Sequence, residues 1–193
     1  MLLGATLVVP GTWAAPADAN NWFGATGFGY MSSCGSNNRA DANPHTIYFE
    51  SYSYDTFYST NYVMADVIQP TDVDPQLVTD RTSATDVIII SKHYVDYCNK
   101  DWASSGTSGG VLGLTTCNGA NASGRCGQHE VRYNLNAVDD LGSRFADWLA
   151  AHENGHAIGL AHRDTELGAM TSTPSGQDDY TSHDKAHINA AAW

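Results

Sequence analysis

Hydrophobic and polar positions change period several times along the chain, and each change marks an element. His45-Thr46-Ile47-Tyr48-Phe49-Glu50 alternates and is rich in β-formers, which predicts a strand. Phe57, Tyr58, Tyr62, Val63, Ala65, Asp66 and Ile68 then recur at helical spacing as far as Pro70. A helix is predicted there, with its tyrosines in core and half-buried positions. Thr71 to Ala84 is polar, with room for a short strand at Leu77-Val78-Thr79. Val87-Ile88-Ile89-Ile90 is an unbroken apolar run, the signature of a strand buried on both faces. Beyond a Gly/Ser loop from Asp101 to Gly110, Val111–Thr116 and Glu130–Asn136 read as two more strands. Asp139 or Asp140 is placed to cap a long helix on which Phe145, Leu149, His152 and His156 share a face.

That last helix carries the chemistry. It runs into Ala151-His152-Glu153-Asn154-Gly155-His156-Ala157-Ile158-Gly159-Leu160-Ala161-His162. At 3.6 residues per turn, His152 and His156 present their imidazoles one turn apart, the spacing that two ligands of one metal need. Glu153 follows the first ligand directly and points beside the metal, where it can take a proton from water. Gly159 can end the helix, since a residue without Cβ enters the left-handed region cheaply. The chain then turns back and His162 supplies a third ligand. Three protein ligands leave a fourth position open, the arrangement of a catalytic zinc rather than a structural one.

His-Glu-x-x-His followed by Gly159 and His162, with Gly168-Ala169-Met170 a short loop later, resembles the metzincin clan of zinc endopeptidases. Within that clan the segment is most similar to the matrixin type, including small secreted bacterial members. Two positions depart from the pattern. Arg163 stands where matrixins usually carry Ser, and Ser172 stands where some other metzincins place a metal-binding Tyr. The resemblance implies one Zn2+ on His152, His156 and His162, Glu153 as general base, and Met170 as an apolar floor beneath the metal. It also implies an α+β fold: a mixed sheet with an antiparallel edge strand, a backing helix, the active-site helix and, after the Met-turn, a C-terminal helix over Ser182–Ala192. By the same analogy Val111–Thr116 is the edge that takes up substrate as an added strand.

Composition narrows the setting. The 193 residues suit one domain, expected over 20–193, and only 16% are charged. A net charge of −12 argues against nucleic acid and against anionic membranes as partners. It is compatible with cationic substrates or with Ca2+ near Asp72, Asp74, Asp80, Asp86, Asp139 and Asp140, although none of these matches a calcium loop. Leu2 to Val9 is apolar but too short to span a bilayer, and Ala17-Asp18-Ala19 suits a cleavage site. Residues 1–19 therefore read as the remnant of a signal peptide, and the protein as secreted and monomeric. Asn20 to Asn43 reads as an irregular arm pinned by Cys34.

Four cysteines in a secreted chain favour two disulfides, with three possible pairings. Cys117 and Cys126 flank a turn-rich loop that closes readily, which leaves Cys34 for Cys98. The competing role is a zinc-bound inhibitory Cys126 in Gly124-Arg125-Cys126-Gly127. His183 and His187 also stand at helical spacing, but no Glu and no Gly turn with a third His accompany them. They read as a partly solvated helix face, with Asp184 in a structural hydrogen bond. His45, His93 and His129 read as isolated structural side chains. The expected function is hydrolysis of peptide bonds in protein or peptide substrates. The alternatives are a secreted zinc hydrolase of non-peptide amides or esters, and a non-catalytic zinc-containing binding module.

Overall fold

The computed structural model describes residues 28–31, 35–103, 110–191 and 193. The proposed signal segment and Cys34 lie outside the described residues. In chain order the strands are β1 (Phe28–Met31), β2 (Gly35–Asn37), β3 (His45–Ser51), β4 (Pro75–Leu77), β5 (Val87–Lys92), β6 (Asp96–Tyr97), β7 (Lys100–Asp101), β8 (Gly113–Cys117) and β9 (His129–Asn134). The helices are α1 (Tyr54–Tyr62), continued as a π-helix over Val63–Ile68, then α2 (Leu135–Leu141), α3 (Ser143–Ile158) and α4 (Ser182–Asn189). The fold is α+β.

The apolar run of β5 becomes the middle of a mixed sheet of order β1-β2-β8-β9-β5-β3-β4. β4, β3, β5 and β9 are mutually parallel, and β8 then runs antiparallel to β9. Side chains alternate along β5. Val87 and Ile89 join the main core with Ile47, Val131 and Tyr133, under α1 and α3. Ile88 and Ile90 are equally buried on the opposite face, where Arg132 lies 4.4 Å over the Tyr97 ring. A strand covered on both faces has no use for polar alternation, which is why this one reads as a continuous run.

Several expected boundaries move, each for a local reason. The long helix is two helices, because Gly142 takes φ +79° and starts α3 afresh. Asp139 and Asp140 are therefore inside α2, and Asn134 caps it instead, its side chain accepting from Asn136 N. The short strand lies at Pro75–Leu77 rather than at Leu77–Thr79; proline is tolerated because it opens an edge strand. Part of the supposed irregular arm is the β1–β2 hairpin, which joins the sheet through Ser36 opposite Cys117. Tyr54 and Tyr58 are 76% and 64% exposed, not core, and stack on each other one turn apart on α1.

β8 begins at Gly113, two residues later than expected, and on its β2 side is paired only at Cys117. Gly113–Thr116 thus lack a strand neighbour on that side among the described residues. Cys117 is disulfide-bonded to Cys126, which excludes Cys126 as a metal ligand. Cys98 is disulfide-bonded as well, and Cys34, its expected partner, lies outside the described residues. Among the described residues no helix is long and apolar enough to cross a membrane.

His45 on β3 and His129 on β9, the two strands that flank β5, are both buried. Burial lowers His45 to about 4 and His129 to about 3, with mutual repulsion adding to the second. The folded protein therefore holds them neutral while the unfolded chain protonates them below its ordinary value near 6.5. Their contribution to stability is present above about pH 6.5 and is lost as pH falls toward 4, at up to ~1.4 kcal/mol per pH unit per histidine. Thermal melts should show a plateau above pH 6.5 and a steep fall between pH 6 and 4 that His45→Leu makes shallower. A profile flat across that window would mean that both rings are solvated.

Candidate metal centre

From Trp148 to Ile158 every residue of α3 is buried, so this helix runs through the middle of the molecule. Buried polar groups need partners, and the histidines and the amide nitrogen of Asn154 on α3 have specific ones, whereas Trp148 Nε1 and Asn154 Oδ1 make no hydrogen bond among the described residues. His152 Nδ1 lies 2.8 Å from Ala169 O, and His156 Nδ1 lies 2.7 Å from Leu160 O. A carbonyl only accepts, so both Nδ1 atoms carry the proton and both Nε2 atoms present lone pairs. Asn154 donates to Tyr133 Oη at 2.9 Å, and the hydroxyls of Tyr133 and Thr60 are 3.2 Å apart. That polar chain ties α3 to β9 and α1.

The helix ends at Gly159 with φ +133°, and a Cβ there would lie 2.6 Å from Arg39 Cγ and 3.1 Å from Arg39 Cα. Only glycine serves both the backbone and the space. The turn brings Leu160 O back to His156 and delivers His162 to the two ring nitrogens ahead of it. The three Nε2 atoms stand 3.0 Å (His152–His162), 3.1 Å (His152–His156) and 3.1 Å (His156–His162) apart. Burial drives His152 down to about 3 and His156 well below its ordinary value, and it lowers His162 too, so the cluster is uncharged near neutral pH. The Nε2 lone pairs of His152 and His156 face the Nε2 of His162 at a distance that a shared cation could bridge. Ligands of a tetrahedral zinc with bonds of about 2.0–2.1 Å sit about 3.3–3.4 Å from one another, within a few tenths of an ångström of the observed spacing. The donor set suits a borderline divalent ion such as zinc.

The expected site residues come together, with a division of labour. Glu153 is buried against β8 beside the cluster. Thr115 Oγ1 is 2.7 Å from Glu153 Oε2 and 2.9 Å from Glu153 O, and its single hydrogen serves one of them at a time. Burial pushes the Glu153 carboxyl up to about 8, the Thr115 hydrogen bond acting in the opposite direction. A Cβ on Gly113 would lie 2.6 Å from Glu153 Oε1, so this glycine makes the room that the carboxylate occupies. Met170 is buried directly under the helix, its Sδ against the place a Cβ of Gly155 would take. Arg163 N donates to Met170 O at 2.8 Å, and Ser172 donates to Asp164, so the segment from His162 to Ser172 is a closed loop. A cleft of about 230 Å³ opens over the cluster, walled by Leu112, Gly113, Leu114, Trp148 and Leu149.

Thr115, Ala169 and Trp148 were absent from the sequence-derived site. Trp148 stacks on His152 with ring centroids 4.9 Å apart and has an i,i+4 signal on α3; Thr115 and Ala169 come from distant segments. The acidic residues considered for calcium disperse: Asp86 accepts from Thr46, Asp139 pairs with His93, and Asp74 accepts from Gln76. Among the described residues they form no shared cation site. Cys117, Cys126 and His129 also lie close together, but the disulfide consumes both sulfurs. No protein-family model matches the chain, and no curated protein is significantly similar to it.

Gly155 tests the packing beneath the cluster. Alanine would gain about 1 kcal/mol in helix propensity, but its methyl would collide with Met170 and stand 3.2 Å from Tyr180 Cε1. Overpacking a buried position costs about 1–3 kcal/mol and wins. Gly155→Ala should lower the melting temperature by roughly 3–6 °C, and a rise would mean that Met170 yields freely.

Proposed function

We propose that this protein is a secreted zinc endopeptidase with a metzincin-like fold, acting on protein or peptide substrates. The observation that carries the proposal is the convergence of three imidazole Nε2 atoms with a carboxyl group held beside them on the cleft wall. His152, His156 and His162 would hold the ion, and their donor set fits it. When bound, zinc supplies Lewis acidity that polarises a carbonyl and makes water a nucleophile near neutral pH.

The remaining work falls to the chain. Glu153 accepts the proton of the attacking water on a carboxylate oxygen and delivers it to the leaving amine as the peptide bond breaks. Its raised proton affinity suits a group that must both take and return a proton, and a nearby cation moves it back down. Thr115 fixes the carboxylate against β8. The side of Gly113–Thr116 that has no strand neighbour among the described residues offers backbone N–H and C=O groups, so an extended peptide can lie along it as an added strand across the metal ligands. Two oxidised cysteine sites support an extracellular setting.

Degradation of casein or gelatin, abolished by a chelator and restored by trace zinc, tests the reaction class; a metal-loaded protein inert on both would sink it. Glu153→Gln keeps shape and hydrogen bonding but cannot accept the proton. It should lose at least about a hundredfold in kcat/KM while keeping the metal content and melting temperature of the parent. Near-parental turnover would assign the base elsewhere.

Thr115 gives a finer test. Thr115→Val removes the hydroxyl and keeps the shape, so kcat should fall about tenfold, equivalent to ~1.4 kcal/mol, with KM and metal content unchanged. Thr115→Ser should restore most of the loss. Equal activity in the valine and serine variants would show that Glu153 needs no anchor.

A further inference from the structure

A second pair of histidines reproduces the geometry of the first. His183 and His187 stand one turn apart on α4 with Nε2 atoms 3.0 Å apart, against 3.1 Å for His152 and His156. Their ring centroids are 4.5 Å apart at an interplanar angle of 78°, against 4.6 Å and 83° on α3. The surroundings differ. Both rings on α4 are half-buried and reach solvent, whereas His152 and His156 are buried.

The helix that carries the pair is well fixed for its length. Thr181 and Asp184 close a capping box at its start, with Thr181 N donating to Asp184 Oδ2 at 3.0 Å and Asp184 N to Thr181 Oγ1 at 3.2 Å. Ile188 is fully buried in the core, and Asn189 Oδ1 accepts from Asp72 N at 2.9 Å. Asp184, between the two histidines, is buried and committed to the cap. Among the described residues no third His, Cys, Asp or Glu converges on the pair.

We propose that His183 and His187 form a second metal site, an open two-imidazole chelate for a borderline divalent transition-metal ion, with water in the remaining positions. The two aligned nitrogens supply the donor type that Cu2+, Ni2+ and Zn2+ prefer and that Ca2+ and Mg2+ do not. Without metal, the short spacing is met by one imidazole N–H shared with the other ring's lone pair; a bound ion takes the place of that proton. Two ligands hold less tightly than three, so the ion exchanges with the medium, and Cu2+ binds more tightly than Ni2+ or Zn2+. The site does not depend on what the α3 cluster does.

The test starts from the full chain, incubated with zinc and dialysed, then titrated with Cu2+ by calorimetry and paramagnetic resonance. One Cu2+ should bind per chain with a two-nitrogen signature, and zinc content should stay constant. His183→Ala and His187→Ala should each weaken that binding at least tenfold, while His93→Ala, at an exposed histidine paired with Asp139, should not. Cu2+ should also raise the melting temperature of the parent and of His93→Ala but not of the two α4 variants, which are measured without Cu2+ to establish that they fold. The proposal is overturned if no Cu2+ binds, if binding persists unchanged in His187→Ala, or if zinc leaves in step with copper uptake.

Discussion

Three imidazole Nε2 atoms converge on one point, two of them with lone pairs that repel unless a proton or a cation lies between, and much of the surrounding structure holds them there. Two of the rings are locked by carbonyls, Leu160 O on His156 and Ala169 O on His152, which fixes both tautomers and both ring planes. The first carbonyl is placed by the Gly159 turn, and the second by the closed loop from His162 to Ser172. The first clamp is local, made by the turn that ends the helix, whereas the second waits for the chain to come back through the loop before Met170. A cation bound there adds its binding energy to folding, because the unfolded chain has no such site.

β8 serves the cluster from the other side, and its alternation explains how. Gly113 and Thr115 point toward Glu153, whereas Thr116 on the opposite face accepts from Arg132 at 3.0 Å. The strand is held along one edge by β9 and at its end by the disulfide between Cys117 and Cys126. Closing a loop of that length removes about 2.5–3 kcal/mol of unfolded-chain entropy, a large fraction of a typical domain's net stability. The bridge thus steadies the strand that anchors the carboxylate, while the stretch nearest the cleft has no partner on its outer edge among the described residues.

How much of this was legible in the sequence depends on how far apart the partners lie. His152, Glu153, His156, Gly159 and His162 lie within eleven residues of chain, so local geometry, the helix and the glycine turn that ends it, brings them together. Leu160 was within reach of the same reasoning, since a glycine turn after a helix folds the next carbonyl back. Thr115 and Ala169 were not, because β8 and the loop before Met170 meet α3 only through the sheet and the return of the chain. The same distinction governs the elements. Val87–Ile90 announced itself by composition, whereas β2, Gly-Ser-Asn and without a β-former, owes its state to pairing with β1 and β8. Gly142 was ambiguous for another reason: a glycine within a helical pattern can be tolerated or can break it, and here the positive φ and the fresh start of α3 decide.

The two histidine pairs show why spacing alone does not name a site. On α3 and α4 the intervals, nitrogen separations and ring angles nearly coincide, so helix geometry accounts for the pair and no more. What separates them is added from outside each helix. Around α3, burial strips the rings of charge, a glycine turn brings a third nitrogen, and β8 holds a carboxylate alongside. Around α4, solvent reaches both rings and the nearby carboxylate is occupied in capping the helix. A desolvated centre with three ligands and a proton acceptor can support chemistry. A solvated pair supports only exchangeable binding, and the difference lies in the tertiary contacts that each helix is given.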